Sequence, residues 1–103
     1  VTRIERLMPN NVPRYIRCYD DGEEGDRYTV VFTKIGIVDP SLKGGSYYLA
    51  LTSDGSFYRG TSDTPIDRPS YSHLGKRIKF HDLPEACQKV VRSEYMLIWG
   101  LDR

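Results

Sequence analysis

The sequence predicts an α+β domain: a small antiparallel sheet of four to five strands with one C-terminal helix packed on one of its faces. Three observations carry this. Runs with period-two alternation and many aromatic or β-branched residues recur as "RYIRCY" (14–19), "RYTVVFT" (27–33) and "SYYLALT" (46–52). An Asp54-Gly55 dipeptide stands between the third run and a fourth, "SFYRG" (56–60), and Asp-Gly favours a tight hairpin turn. The segment from Asp82 to Gly100 has its apolar residues at helical spacing.

In the first run, Ile16 and Cys18 share one face and Tyr15, Arg17 and Tyr19 the other. In the second, Tyr28, Val30 and Phe32 alternate with Thr29, Val31 and Thr33. The seven residues between them, "DDGEEGD", then close an antiparallel hairpin. "KIGIVDPSLKGG" (34–45) reads as a connection, because it holds two adjacent glycines and a proline. A two-residue turn at Asp54-Gly55 pairs Leu51 with Tyr58 and Thr52 with Phe57. Residues 61–75 are polar and contain two prolines, which points to an irregular excursion. "KRIKF" (76–80) reads as a short edge strand with Ile78 and Phe80 facing in, its lysines discouraging edge-to-edge association.

In the last segment, Asp82 as N-cap and Glu85 three residues later match a capping box, and Pro84 in the first turn costs no helical hydrogen bond. Leu83, Cys87, Val90, Val91, Leu97 and Ile98 form one face, and Gly100 is the expected stop. Ahead of the first run, "TRIERLM" has room for one or two helical turns before Pro9 and Pro13.

At 103 residues the chain is expected to be a single domain, 1–103, able to bury a core without metal or disulfide staples. Fifteen basic against fourteen acidic side chains leave a net charge of +1, so no global charge argues for nucleic acid or an anionic membrane. No apolar run approaches the roughly 20 residues of a membrane span. The N-terminus lacks the apolar core of a signal peptide, and it lacks an initiator Met, which is the expectation for a processed or trimmed chain. Cys18 and Cys87 stand in no zinc-binding spacing and are expected as reduced thiols in a cytoplasmic protein.

Two charged segments are candidates for function. The first is the acidic loop: Asp20, Asp21, Glu23, Glu24 and Asp26 put five carboxylates into seven residues beside Tyr19, with Tyr15 and Tyr28 close by. Acidic surfaces steer association with basic partners. The spacing is not that of an EF-hand, and Gly22 and Gly25 are what a tight acidic turn needs, so no metal is assigned. The second is basic: Arg68, Lys76, Arg77 and Lys79, with Tyr71 and Phe80 interleaved, could serve nucleic acid. A catalytic site assembled from His73, Cys18 or the carboxylates is a third possibility. No Walker, Rossmann, GxSxG or HExxH pattern supports it, and no cofactor is implied.

Glu94 stands out because it lies between Val90 and Ile98, within the apolar helix face. A carboxylate there sits at a rim, pairs with an arginine such as Arg17, or meets another subunit. Trp99 either closes the edge of the core or anchors a partner.

The segments "RYIRCYDDGEEGDRYTVVFT" and "HLGKRIKFHDLPEACQKVV" resemble a group of small proteins from bacteria, their phages and mobile elements. The shared features are the Asp-Arg-Tyr-Thr-Val-Val-Phe-Thr block and the later Leu-Gly, Arg-Ile, Phe and Asp-Leu-Pro positions, over about four-tenths of the chain. The resemblance implies an intracellular accessory protein and assigns no catalytic residues. By analogy of context, such proteins bind a host protein, including components of defence systems.

Overall fold

A computed structural model describes residues 2–23, 25–42, 44–62 and 74–101. The α+β class is as the sequence predicts. Five strands form one antiparallel sheet: β1 (Ile16–Asp20), β2 (Tyr28–Phe32), β3 (Ser46–Leu51), β4 (Phe57–Ser62) and β5 (Lys76–Ile78), in the order β4-β3-β2-β1-β5. Among the described residues, three α-helices complete it: α1 (Arg3–Leu7), α2 (Ile35–Val38) and α3 (Glu85–Trp99). Thr2 caps α1, its hydroxyl accepting from the Glu5 amide. The connection at 34–45 carries α2 and a 3-10 turn, Pro40–Leu42. Most of the excursion at 61–75 lies outside the described residues.

Cross-strand partners share a face of the sheet. The rows Ile16–Phe32–Tyr47–Thr61 and Cys18–Val30–Leu49–Arg59 therefore lie on one side, and Tyr28–Leu51–Phe57 with them. This side packs on α3. Val30, Leu49, Leu51, Cys87, Val91 and Tyr95 are completely buried between sheet and helix. The other side presents Arg17–Val31–Tyr48–Gly60 and Tyr19–Thr29–Ala50–Tyr58. A smaller cluster of Tyr19, Val31 and Leu74, with Tyr48 packed against it, covers part of it.

Several expectations are corrected. β1 begins at Ile16 rather than Arg14, because Tyr15 takes φ 61°, outside strand geometry, and lays its ring against Trp99 at a centroid distance of 6.3 Å. β5 ends at Ile78, and Phe80 is buried from a 3-10 turn, Phe80–Asp82, not from a strand. Asp82 does not cap α3. Its carboxylate accepts the Lys79 amide at 3.0 Å and closes that 3-10 turn, while Pro84 occupies the N-cap without a side-chain cap. The buried stripe of α3 runs through Cys87, Val91, Glu94, Tyr95 and Trp99, rotated from the expected one, and Leu97 is 56% exposed. Trp99, at 8% exposure, closes the core. Gly100 stops the helix as expected, at φ 69°, with the Gly100 and Leu101 amides donating to Leu97 and Met96 carbonyls.

The most consequential correction is at the β3–β4 turn. Leu51 pairs with Phe57 and Ala50 with Tyr58, one residue away from the expected register. The loop has three residues, Ser53–Gly55, because only Gly55 adopts positive φ (92°). Asp54 supports the turn by accepting hydrogen bonds, from the Ser56 amide at 3.0 Å and from the Thr52 hydroxyl. A one-residue slip exchanges the faces of a strand. It puts Phe57, Arg59 and Thr61 on the helix side, where the expected register would have put Tyr58 and Gly60.

Two glycines test this architecture. A Cβ on Gly55 would meet the Cβ of Ala86 at 3.0 Å, and one on Gly75 (φ 89°) would meet the Asp20 carbonyl oxygen and Asp21 Cα at 2.4 Å. Gly55→Ala is expected to cost about 1–2 kcal/mol from the left-handed backbone alone. Gly75→Ala is expected to cost more, because backbone cannot move aside as a side-chain tip can. Urea denaturation checks both; equal, near-zero losses would contradict the turn and the β5 approach described here.

Candidate functional site

The acidic loop is organised from within. Arg27 grips Asp20 with two hydrogen bonds, Nε to Oδ1 at 2.7 Å and Nη2 to Oδ2 at 3.0 Å. Asp20 Oδ1 also accepts the Gly22 amide, and Asp21 Oδ1 the Glu23 amide, both at 2.8 Å. The Arg27 hydrogen bond, the Gly22 amide and the charges of Arg27 and Lys76 hold the Asp20 carboxyl below its ordinary range, against a smaller effect of burial. Arg27 thus pairs with Asp20 across the hairpin and not with its neighbour Asp26. Glu23 is exposed. Glu24 lies outside the described residues.

The other acidic side chains border the second face of the sheet. Asp21 and Asp26 line a recess of about 430 Å³ together with Tyr48, Tyr58, Thr29 and Leu74. Partial burial, the charge of Asp26 and neighbouring Tyr48 raise the Tyr58 phenol above its usual range, with a hydrogen bond to Asp26 adding to this. Tyr48 lies across Gly60: a Cβ there would fall 2.2 Å from the ring. A glycine inside a strand marks such a close approach. Tyr19, the tyrosine singled out in the sequence, is on this face but buried with Val31 and Leu74, so Tyr48 and Tyr58 take its place at the surface.

The basic residues gather at the opposite edge. Lys76 stands across from Asp20 and Arg77 across from Tyr19. With Lys79 and Arg17 they surround a groove of about 570 Å³ floored by Val12 and Ile16. Phe80 is core, and Arg92 stacks over its ring at 5.2 Å. Arg68, Tyr71 and His73 lie outside the described residues.

Glu94 is buried at 5% exposure, and its partner is Arg59, not Arg17, which the sheet places on the other face. Arg59 Nε and Nη2 donate to the two carboxylate oxygens at 2.6 and 3.0 Å, and the Tyr47 hydroxyl donates to Oε1 at 2.7 Å. Burial pushes the Glu94 carboxyl up. The hydrogen bonds from Arg59 and Tyr47 and the Arg59 charge together outweigh it, so the net direction is down. Burial and the bond to Glu94 push the Tyr47 phenol up to about 12.

Cys18 and Cys87 are buried free thiols. Burial, against the charge of Arg77, pushes the Cys18 thiol up to about 12, so it is protonated at neutral pH and a poor nucleophile. The Cys87 thiol donates to the Thr52 carbonyl at 3.1 Å. Among the described residues, no three His, Cys, Asp or Glu side chains are grouped to hold a metal ion, and no helix is long and apolar enough to cross a membrane. The chain matches no family model, no curated protein and no solved structure.

The Glu94 carboxyl has a lower pKa folded than unfolded, so its ionised form stabilises the fold. That contribution is complete above the ordinary value of 4.5 and is lost as pH falls through the lower, folded value. Glu94→Gln is expected to cost about 1–2 kcal/mol at neutral pH, the exposed side of Arg59 limiting the figure. The gap between variant and wild type should close below pH 4.5, read from urea midpoints at several pH values. A gap that stays constant into acid would show that the pair carries no pH-linked stability.

Proposed function

We propose that the protein is a small non-enzymatic binding module that captures a basic protein surface through its acidic hairpin and the adjoining second face of the sheet. One observation carries this reading: Asp21 and Asp26 line the same recess as the Tyr48 and Tyr58 rings. Carboxylates beside aromatic faces suit a lysine or arginine side chain, which gains charge attraction and a cation–π contact together. Asp20 belongs to the loop's own framework through Arg27 rather than to the contact surface. On the resemblance of its two sequence blocks to proteins of phages and mobile elements, the partner would be a host protein, a defence-system component among the candidates.

An arginine- and lysine-rich peptide is the simplest probe. It should bind at low salt and weaken steeply as salt rises. Asp21→Asn with Asp26→Asn should abolish binding. Gly60→Ala changes no charge but must displace the Tyr48 ring, and it should weaken binding while leaving the fold intact. Calorimetric titration of the three proteins decides the matter: undiminished affinity in the double variant would discard the acidic face.

A second reading rests on the groove at β5, where Arg17, Lys76, Arg77 and Lys79 are brought together. It predicts salt-sensitive binding of single- or double-stranded oligonucleotides that the Lys76→Ala, Arg77→Ala and Lys79→Ala variant loses. A mobility-shift assay at low salt with no retarded band would remove it.

A further inference from the structure

The two edges of the sheet are built differently. β5 has three residues, two of them Lys76 and Arg77, with Lys79 following. Short length and positive charge are protections against pairing with another strand. β4 has neither. It runs for six residues without lysine or proline, and its register with β3 is unbroken from Phe57 to Ser62.

The Thr52 amide donates to the Ser56 carbonyl at 2.8 Å. Bonded and non-bonded positions alternate along an antiparallel ladder. Tyr58 and Gly60 therefore turn their backbone groups to β3, and Phe57, Arg59 and Thr61 turn theirs to the outer edge, which no strand of the described residues covers. Large apolar side chains flank this edge among charged ones. Phe57 is 40%, Tyr58 52% and Leu97 56% exposed, half of the described large hydrophobic side chains that are exposed at all. Phe57 and Leu97 line a shallow groove of about 370 Å³ that follows the edge between β4 and α3.

We propose that β4 pairs with β4 of a second copy of this chain, antiparallel about a two-fold axis, to give one sheet running through both copies. The charges favour a copy of itself over a charged partner. Arg59 is matched by Glu94, and Lys89 stands 3.8 Å from Glu85, so the strip meets itself without an unopposed like charge and offers nothing to steer an ion. The β5 edge, by contrast, would oppose cation to cation. A register centred on Tyr58 avoids setting Arg59 against Arg59. It puts Phe57 opposite Arg59 of the second copy, repeating between copies the stacking that Arg59 makes over Phe57 within the strand at 5.3 Å. Isologous pairing of this kind closes at two copies.

Sedimentation of the full chain up to about 100 µM should show a monomer–dimer equilibrium. Phe57→Lys sets a cation opposite Arg59 of the second copy, and Phe57→Pro removes an outward N–H that β3 does not use. Each should weaken the dimer by about tenfold or more, and the Lys variant should keep the wild-type circular dichroism. Tyr58→Cys should form a reducible covalent dimer under mild oxidation, since directly opposed, non-bonded positions stand about 4.5 Å apart. The buried Cys18 and Cys87 leave the wild type without such a product. A monomer at every concentration, or a dimer that Phe57→Lys leaves unchanged, overturns the proposal. A dimer in which Tyr58→Cys yields no crosslink overturns the strand pairing.

Discussion

The three-residue turn Ser53–Gly55 fixes which side of β4 meets the helix, and the packing of the domain follows from it. Gly55 takes the left-handed conformation and sits against Ala86 in the first turn of α3. The next residue, Cys87, is fully buried and donates its thiol to the Thr52 carbonyl at the other end of the same turn. Turn and helix start are therefore locked together. With that register, Arg59 projects toward α3 and meets Glu94, which Tyr47 of β3 also binds. One backbone choice at a glycine thus converts a carboxylate in an apolar stripe from a penalty into a tie between two strands and the helix. A buried carboxylate with its oxygens satisfied is tolerable, whereas the same group unpartnered would lose its charge or unseat the helix.

The helix side holds the main core, and the second face is free to differ. Its rows contain a threonine, an alanine and a glycine among tyrosines, which leaves hollows between rings instead of a filled layer. Gly60 is the clearest case, because Tyr48 rests in the space that a side chain there would occupy. Tyr19, Val31 and Leu74 cover one end of this face, and the recess with Asp21 and Asp26 lies beyond them. Stability thus resides on one side of the sheet and surface chemistry on the other.

Much of the fold was legible because alternation and helical spacing report burial directly. The strands at Val30, Leu49 and Cys18 and the helix at Cys87 and Val91 are where those patterns put them. Register was not legible. Asp54-Gly55 closes either a two- or a three-residue loop, and the choice depends on Asp54 accepting hydrogen bonds from Thr52 and Ser56, which composition does not reveal. Glu94 was conspicuous on the helical wheel, yet its partner was hidden, since the face of Arg59 depends on that register. The helix stripe was misjudged at Tyr95, whose ring is drawn inward by Phe32 and Trp99, at centroid distances of 6.4 and 5.9 Å. At the candidate site, Asp21 and Asp26 were visible as part of a cluster. Tyr48 and Tyr58 were read as ordinary strand residues, and the signal that could have found Tyr48 was Gly60, a glycine inside a strand.

The excess of carboxylates in the β1–β2 loop now divides by task. Asp20 is occupied by Arg27 and the Gly22 amide and stands across from Lys76, so its charge is spent on closing the hairpin and holding β5 beside β1. Asp21 shapes the turn through the Glu23 amide and still borders the recess. Asp26 belongs to the recess with Tyr58. Closing a hairpin requires no acid at position 26. A carboxylate there raises the negative potential of an aromatic-walled hollow, which adds nothing to the core behind β1 and β2. The same arrangement strengthens the attraction of a cation entering from solvent, because low-dielectric walls focus the field of the charges at their rim. Position 26 is thus the point in the loop where folding ceases to explain the charge and the proposed capture of a basic side chain begins to.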